Sequence, residues 1–375
     1  MKRVVKMRKK ILYITSTLKR CGPNNQLFNI VNNLDLNEFE PLVVTLSPEP
    51  SESFYTKYVD NGIKVESLNL DRYFGRLVVK NKLRQLIKKN KPDVIHTQGY
   101  RADTLISSLD TSIPHIATIR NFPQEDYVMT YGRLLGTLMY RKHTRCLKNV
   151  TRVAGVSKSV AENLTDKFNL KNVININNGV DTLVYNNNNS KTDMRKLLDL
   201  PLDSKVFIST GHLSERKDPE FMIENFLKCN IENSLLLLVG SGELHSDLEE
   251  RYHNESSIIF VGRTSRVLEY LNSSDYYISC SKSEGLPNSV LEALACGLPC
   301  VLSNIEPHRQ IIQSAGSNIG EIYRLGSDVD FIQSINKMIS HEIEETSKNA
   351  TNLAINQYSA IRMSKLYQSE YFKMI

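Results

Sequence analysis

Residues 281–300 read SKSEGLPNSVLEALACGLPC and follow the apolar run Tyr276-Tyr-Ile-Ser-Cys280. The run reads as a strand over Tyr276 to Ser281. Pro287 suits the first turn of a helix that Ser289 to Ala295 continue. Glu284 then lies on the loop at the strand's carboxyl end, and Glu292 lies inside the helix. Because helical Cβ atoms tilt toward the N-terminus, Glu292 reaches back toward the same mouth. The free N–H groups around Gly285, Leu286, Pro287, Asn288 and Ser289 offer an anion site. Two carboxylates and a helix N-terminus suit a ligand with both hydroxyls and phosphates, since carboxylates accept strongly from hydroxyl donors. An ordinary strand-loop-helix with two solvated glutamates accounts for the same residues without any ligand.

Outward from this segment, short β-branched or apolar runs alternate with longer amphipathic stretches, the pattern of βα units feeding a parallel sheet. Strands are expected at residues 10–17, 41–46, 64–68, 93–97, 115–120, 151–156 and 173–177. A helix is expected over Leu77 to Asn90, with Leu77, Val78, Leu83, Leu86 and Ile87 on one apolar face. The polar run from Tyr185 to Ser190 interrupts the alternation and reads as an interdomain linker. Strands then resume at residues 205–210, 234–239, 258–261, 276–281, 300–303 and 321–323. The expected architecture is α/β: two Rossmann-like doubly wound domains facing each other across a cleft, with ligands outside the carboxyl ends of the strands. The expected bounds are 1–182, a linker at 183–195, a second domain at 196–355 and a C-terminal helix at 356–375 returning to the first.

The chain has 375 residues, 41% hydrophobic and 23% charged, a composition that favours two globular domains with substantial cores. Six scattered cysteines form no CxxC pair and read as reduced thiols of a cytoplasmic protein. The basic N-terminus before Ile11 superficially imitates a signal peptide, but Thr15, Ser16 and Thr17 interrupt the apolar run and no cleavage pattern follows. Charge is unevenly shared: residues 1–181 carry 29 Lys and Arg against 16 Asp and Glu, the remainder 18 against 25. Basic runs at Lys2 to Lys10, Arg76 to Lys91 and Arg141 to Arg152 point to an anionic membrane surface or acceptor, and solvated helix faces account for them equally. Nucleic acid is not an expected partner.

The run Glu284-Gly-Leu-Pro through Glu292-Ala-Leu-Ala-Cys-Gly-Leu-Pro resembles the E-x7-E signature of retaining GT-B glycosyltransferases, specifically glycosyltransferase family 4. The resemblance covers nearly the whole chain. It implies that Glu284 contacts the transferred sugar, that the following loop contacts sugar and phosphate, and that Glu292 holds the ribose hydroxyls. The segment Thr210-Gly211-His212-Leu213-Ser214-Glu215-Arg216-Lys217-Asp218 is similar to the family's phosphate-binding stretch, so Arg216 and Lys217 are the implied clamp on the diphosphate. Val239-Gly240-Ser241-Gly242-Glu243 and Phe260-Val261-Gly262-Arg263 resemble the two turns before the signature, and Asn178-Gly179-Val180-Asp181 the motif before the linker. In the first domain, the loop with Gly22 resembles the one facing donor phosphate and sugar, and Asn24 and Asn25 suit caps of the next helix.

Two positions depart from the family pattern. His212 stands where many relatives have Arg. Arg120, followed by Asn121, stands where many have a histidine near the reacting carbon, and an arginine cannot act as a general base. It suits a sugar hydroxyl or an acceptor phosphate.

The resemblance implies a metal-independent, retaining hexosyltransferase with a nucleotide-sugar co-substrate, a UDP sugar favoured, and no further cofactor. The implied acceptor is a glycan or lipid-linked hydroxyl in surface-polysaccharide or cell-envelope glycan assembly. A GT-B epimerase or phosphorylase and a non-catalytic nucleotide-sugar-binding protein are the alternatives. A dinucleotide oxidoreductase requires a G-x-G-x-x-G after the first strand, and Lys19-Arg20-Cys21-Gly22-Pro23-Asn24 does not supply it. Asp328-Val-Asp330 imitates a metal-binding DxD, but its place after the last strand makes it the acidic first turn of a helix.

Overall fold

The computed structural model describes residues 7–71, 75, 78–109 and 111–375. Lys2 to Lys6 of the first basic run, Arg76, and Leu77 of the expected helix lie outside the described residues. The chain forms two compact units. The first runs to Gly179 and takes in Ala360–Ile375, and the second is Val180–Ser359.

The first unit is built on seven parallel strands: β1 (Lys9–Thr15), β2 (Phe39–Thr45), β3 (Lys64–Ser67), β4 (Val94–Gln98), β5 (His115–Ile119), β6 (Arg152–Gly155) and β7 (Val173–Asn175), in the order β3-β2-β1-β4-β5-β6-β7. Central strands of such a sheet are buried on both faces and read as unbroken apolar runs. In β1, Ile11 and Tyr13 enter one core cluster while Leu12 and Ile14 enter the other, the alternation that a pleated strand imposes. Tyr13 stands opposite Val43 and His96.

The C-terminal helix Ala360–Met374 belongs to this unit. Met363, Tyr367 and Tyr371, spaced by four, make its buried stripe and join the cluster containing Ile11 and Tyr13. The tyrosine hydroxyls are satisfied there: Tyr371 bonds Tyr13 at 3.1 Å and His96 Nδ1 at 2.7 Å, and Tyr367 bonds Thr118 at 2.9 Å. Ser364 Oγ donates to Ile30 O at 2.7 Å, fixing the helix against Gly22–Asn32.

The second unit has six parallel strands: β8 (Lys205–Thr210), β9 (Ser234–Val239), β10 (Ile258–Gly262), β11 (Tyr276–Ser279), β12 (Cys300–Ser303) and β13 (Gly320–Tyr323), ordered β10-β9-β8-β11-β12-β13. Its core joins Phe207, Leu236, Leu238, Ile278 and Val301 of the sheet to Phe331, Ile335 and Met338 of the helix Asp328–Ser340. Residues 183–195, expected as a linker, lie within this unit. Ser190 Oγ accepts from Asp193 N and caps the helix Lys191–Leu197. Val180 N donates to Tyr358 O at 2.7 Å, so the two ends of the unit are paired. Both sheets reverse their winding between a central pair of strands, β1 beside β4 and β8 beside β11, which leaves the loops after those strands free to form a ligand site.

Candidate functional site

Beyond β8, β9 and β10 the chain keeps its sheet-like pairing. Gly211 N donates to Val239 O at 2.9 Å, Gly240 N to Gly262 O at 2.9 Å and Leu213 N to Ser241 O at 3.2 Å. Only glycine permits this approach: a Cβ on Gly240 would fall 1.8 Å from Gly211 O, and one on Gly242 2.2 Å from Leu213 O. Gly211 and Gly242 are thus parts of one backbone floor at the carboxyl edge. His212 and Arg263 stand on its exposed rim, His212 Nε2 lying 2.8 Å from Glu243 Oε2.

The loops after β8 and β11 meet because their strands are neighbours. Lys217 N donates to Ser214 O at 2.9 Å in a turn that aims Arg216 and Lys217 at Glu284. Glu284 Oε1 takes Lys217 Nζ at 2.7 Å and Arg216 Nη1 at 2.8 Å, and Arg216 Nη1 also donates to Ser283 O at 2.8 Å. Lys282 N returns a bond to Arg216 O at 2.8 Å. Glu284 is buried, and burial by itself would raise its pKa. The adjacent Lys217 and Arg216 charges outweigh that and hold it at about 2. Two cations against one carboxylate leave a net positive charge, the requirement for receiving a diphosphate.

Pro287, expected inside the first helical turn, is instead the N-cap: its ψ of 110° is extended, and the helix is Asn288–Ala295. As at an N-cap, the Pro287 carbonyl accepts the first helical bond, from Leu291 N at 3.3 Å, while its own ψ lies outside the helix. No N-cap side chain bonds this terminus. Gly285 and Leu286 are buried beneath the loop, while Asn288 and Ser289 are partly exposed. Glu292, half-buried on the same helix, is hydrogen-bonded to the Tyr185 phenol. Burial first, then the Glu292 charge and this bond, push the phenol's pKa up. Tyr185 escaped the sequence reading because it stands in a polar run. Its signal was being the one aromatic residue there.

His308, on the helix Glu306–Ser314, was also missed. It is fully buried, with Nδ1 2.9 Å from Ser303 O, while Ser303 Oγ donates to Ser281 O at 2.6 Å at the base of the Glu284 loop. A carbonyl only accepts, so Nδ1 carries the proton of the neutral ring. Burial drives the His308 pKa down to about 4, against smaller opposing effects of the Ser303 bond and the Glu284 charge. A histidine with a depressed folded pKa is charged first in the unfolded chain. It therefore contributes stability above about pH 6.5 that is lost as pH falls toward about 4, up to about 3 kcal/mol. Comparing melting temperatures from pH 7 down to pH 4, the decline is expected to be shallower in His308→Gln than in the parent. Identical slopes would show that His308 is not held neutral.

In the first unit, Gly22 is the exposed first residue of its helix. Asn24 and Asn25, expected as caps, lie inside that helix, because Cys21 takes the N-cap position and Pro23 the first turn. Asn24 Nδ2 instead ties the preceding loop through Thr17 O at 3.0 Å and Lys19 O at 2.8 Å. Arg120 donates to Asn178 Oδ1 at 2.9 Å and Gln98 Oε1 at 2.8 Å, with no carboxylate partner among the described residues. Asn121 Oδ1 accepts from Phe122 N at 2.9 Å and its amide donates to Asp126 at 3.2 Å, so its contacts serve the start of the next helix. Among the described residues no group of three or more His, Cys, Asp or Glu gathers as metal ligands.

Comparison with known proteins covers both units. The family model for glycosyl transferases group 1 matches residues 190–357, and that for Glycosyltransferase Family 4 matches residues 21–183. The chain is 24% identical to the Escherichia coli UDP-Gal:alpha-D-GlcNAc-diphosphoundecaprenol alpha-1,3-galactosyltransferase, over 93% of this chain and 95% of the relative. It is 26% identical to the E. coli O-antigen biosynthesis glycosyltransferase WclY, over 79% and 80%. Among solved structures, Anabaena Alr3699/HepE in complex with UDP superposes with a TM-score of 0.81 at 16% identity, covering 98% of this chain and all of the other. WaaG, a glycosyltransferase involved in lipopolysaccharide biosynthesis, superposes at 0.74 with 13% identity, covering 96% and 99%.

Proposed function

The chain belongs to the group 1, or family 4, glycosyltransferases and has their GT-B fold of two Rossmann-like domains, and from that premise we propose that it transfers a sugar from a nucleoside diphosphate to a hydroxyl with retention of anomeric configuration. The observation that carries the reading is the carboxylate of Glu284, shared by Arg216 and Lys217 in front of the helix that bears Glu292. A diphosphate entering this site meets both cations and the N–H groups following Pro287. Glu284 keeps an oxygen for a hydroxyl of the sugar, and Glu292 accepts from the ribose hydroxyls. The bond from anomeric carbon to diphosphate breaks as the bond to the acceptor oxygen forms on the same face, and the acceptor's proton leaves with the diphosphate. Catalysis then rests on positioning and on stabilising leaving-group charge.

We favour UDP as the nucleotide and a lipid-linked saccharide as the acceptor, in cell-envelope glycan assembly. The UDP complex of HepE and the diphosphoundecaprenol substrate in the name of the galactosyltransferase support this choice. Arg120 suits the acceptor side, its guanidinium having only amide partners. We assign the chain to the cytoplasm, in keeping with cysteines that are all free. The test is a panel of nucleotide sugars offered with lipid-linked and free saccharide acceptors, with products separated and their anomeric configuration determined. An α-donor giving an α-glycoside is the expected result. An inverted product would overturn retention. Epimerised donor or free sugar phosphate would replace transfer by the corresponding GT-B chemistry.

The transferase is expected to work without a divalent ion. Asp328 pairs with Lys228 at 2.6 Å and Asp330 with Arg324 at 3.4 Å, in the first turn of a helix that Ser327 caps. Those carboxylates already neutralise lysine and arginine, and Arg216 with Lys217 supplies the charge a metal would bring. Transfer in excess chelator is expected to equal the untreated rate, and the Asp328→Ala, Asp330→Ala variant to stay within a few-fold of the parent. Loss on chelation that magnesium or manganese restores would refute the metal-free mechanism.

A further inference from the structure

The first unit carries a helical hairpin, Pro123–Tyr131 joined through Gly132 to Arg133–Leu147. Its underside is tightly fixed. A Cβ on Gly136 would fall 2.3 Å from Tyr127 O, so the two helices touch backbone to backbone. Buried His143 places Nε2 2.9 Å from Asp103 Oδ2 and Nδ1 2.7 Å from the Tyr127 hydroxyl, clamping the hairpin to the helix Tyr100–Ile106.

The outer side carries a cluster of exposed apolar side chains. Met129, Tyr131, Leu134, Leu135 and Leu138 are exposed by 58%, 47%, 85%, 54% and 66%, all within ten residues around the joint. Single exposed apolar side chains are ordinary on a soluble protein, whereas a cluster on a rigid support marks an interaction surface. Beside it stand the exposed Arg133, Arg141, Lys142, Arg145 and Lys148, and none of these five forms an ion pair among the described residues. No Asp or Glu occurs between Asp126 and Glu162.

We propose that this hairpin is a membrane-docking surface, laying Met129, Tyr131, Leu134, Leu135 and Leu138 into the headgroup and acyl boundary of an anionic bilayer while the flanking basic side chains hold lipid phosphates. An apolar tip with a cationic margin is the composition of interfacial helices that lie on a membrane without crossing it. No described helix is long and apolar enough to cross one. A second copy of this face would bring like charges together, and a nucleic acid would leave the leucines without an apolar partner. The inference goes beyond the transferase reading and does not rest on it, since docking is measured without turnover.

The chain contains no tryptophan, so Leu134→Trp installs a single fluorescent reporter at the tip. The full chain is sedimented with vesicles of phosphatidylcholine alone and of phosphatidylcholine mixed with phosphatidylglycerol. Binding to the anionic vesicles is expected, weakened by salt because charge attraction is screened over about 10 Å at 0.1 M. With those vesicles the emission of the Leu134→Trp variant shifts to the blue and is quenched by brominated acyl chains. Partitioning is expected to fall at least tenfold both in Leu134→Asn, Leu135→Asn, Leu138→Asn and in Arg141→Gln, Lys142→Gln, Arg145→Gln. These side chains are exposed, so melting temperatures stay at the parent value, and a conservative Leu138→Ile keeps binding. The proposal is overturned if neither vesicle binds, if the triple variants bind as the parent does, or if the indole emission of the reporter variant does not move. It is also overturned if the leucines prove to mediate self-association without vesicles, or if duplex or single-stranded nucleic acid displaces the chain from vesicles at equal charge.

Discussion

In the double variant Arg216→Ala, Lys217→Ala, turnover with saturating donor falls on the order of a thousandfold, while KM for the donor moves far less. Removing a single preorganised donor from a site of developing charge costs about 10²–10³ in kcat, and here both side chains beside Glu284 are lost together. The same change leaves a buried carboxylate without its cations, and breaking a buried pair from one side costs about 3–5 kcal/mol. The variant is therefore also less stable, its Glu284 titrating upward as burial acts unopposed. Comparison with Glu284→Gln alone separates the two effects: adding this change to the double variant restores the melting temperature, while turnover stays far below that of the single Glu284→Gln variant. If turnover in the double variant equals the parent's, or in the triple variant equals that of Glu284→Gln alone, Arg216 and Lys217 have no part in leaving-group departure.

Glu292→Ala is expected to weaken UDP binding by about 1.5–3 kcal/mol, roughly ten- to 150-fold in Kd, because hydrogen bonds to a charged acceptor are lost and the ribose hydroxyls are left unpaired. Tyr185→Phe provides the control. It removes the phenol that bonds Glu292 while leaving the carboxylate in place, so affinity changes only a few-fold. Calorimetric titration of both variants decides the matter. Parent-like affinity in a folded Glu292→Ala protein would take that residue out of the donor site, and a larger loss in Tyr185→Phe would make the phenol the principal contact.

The parallel sheets were legible because their signal is strong and local. Ile11 to Ile14 and Leu235 to Val239 are short apolar runs of the kind that a strand buried on both faces shows. The Glu284 to Glu292 segment was readable for the same reason: a strand, a turn residue and an apolar helical stripe occur in immediate succession. Contacts made by the far end of a fold left no comparable mark. His308 follows Glu284 by more than twenty positions and meets its loop only because β11 and β12 are neighbours. Tyr185 reaches Glu292 from a segment whose polarity reads as a linker. The assignment of Pro287 to the helix failed by one residue, since composition places a proline near a helix start without saying whether its own ψ is helical. Asn24 has the chemistry of a cap, but its Oδ1, the atom a cap uses, accepts from Gln98 Nε2 at 2.9 Å, a competition visible only once the sheet is assembled.

The tyrosine-lined C-terminal helix sets an order of assembly during synthesis. Residues 360–374 supply Met363, Tyr367 and Tyr371 to the core around Ile11 and Tyr13, yet the ribosome makes them after every residue of the second unit. While translation proceeds, the first sheet lacks one wall, and His96 and Tyr13 lack the hydroxyl of Tyr371 that joins them. The second unit, whose residues form one uninterrupted stretch, has all its own parts available earlier. The nascent chain therefore cannot close its earlier half until residues 360–374 have been made. Until then Ile11 and Tyr13 lack the cover of Met363, Tyr367 and Tyr371.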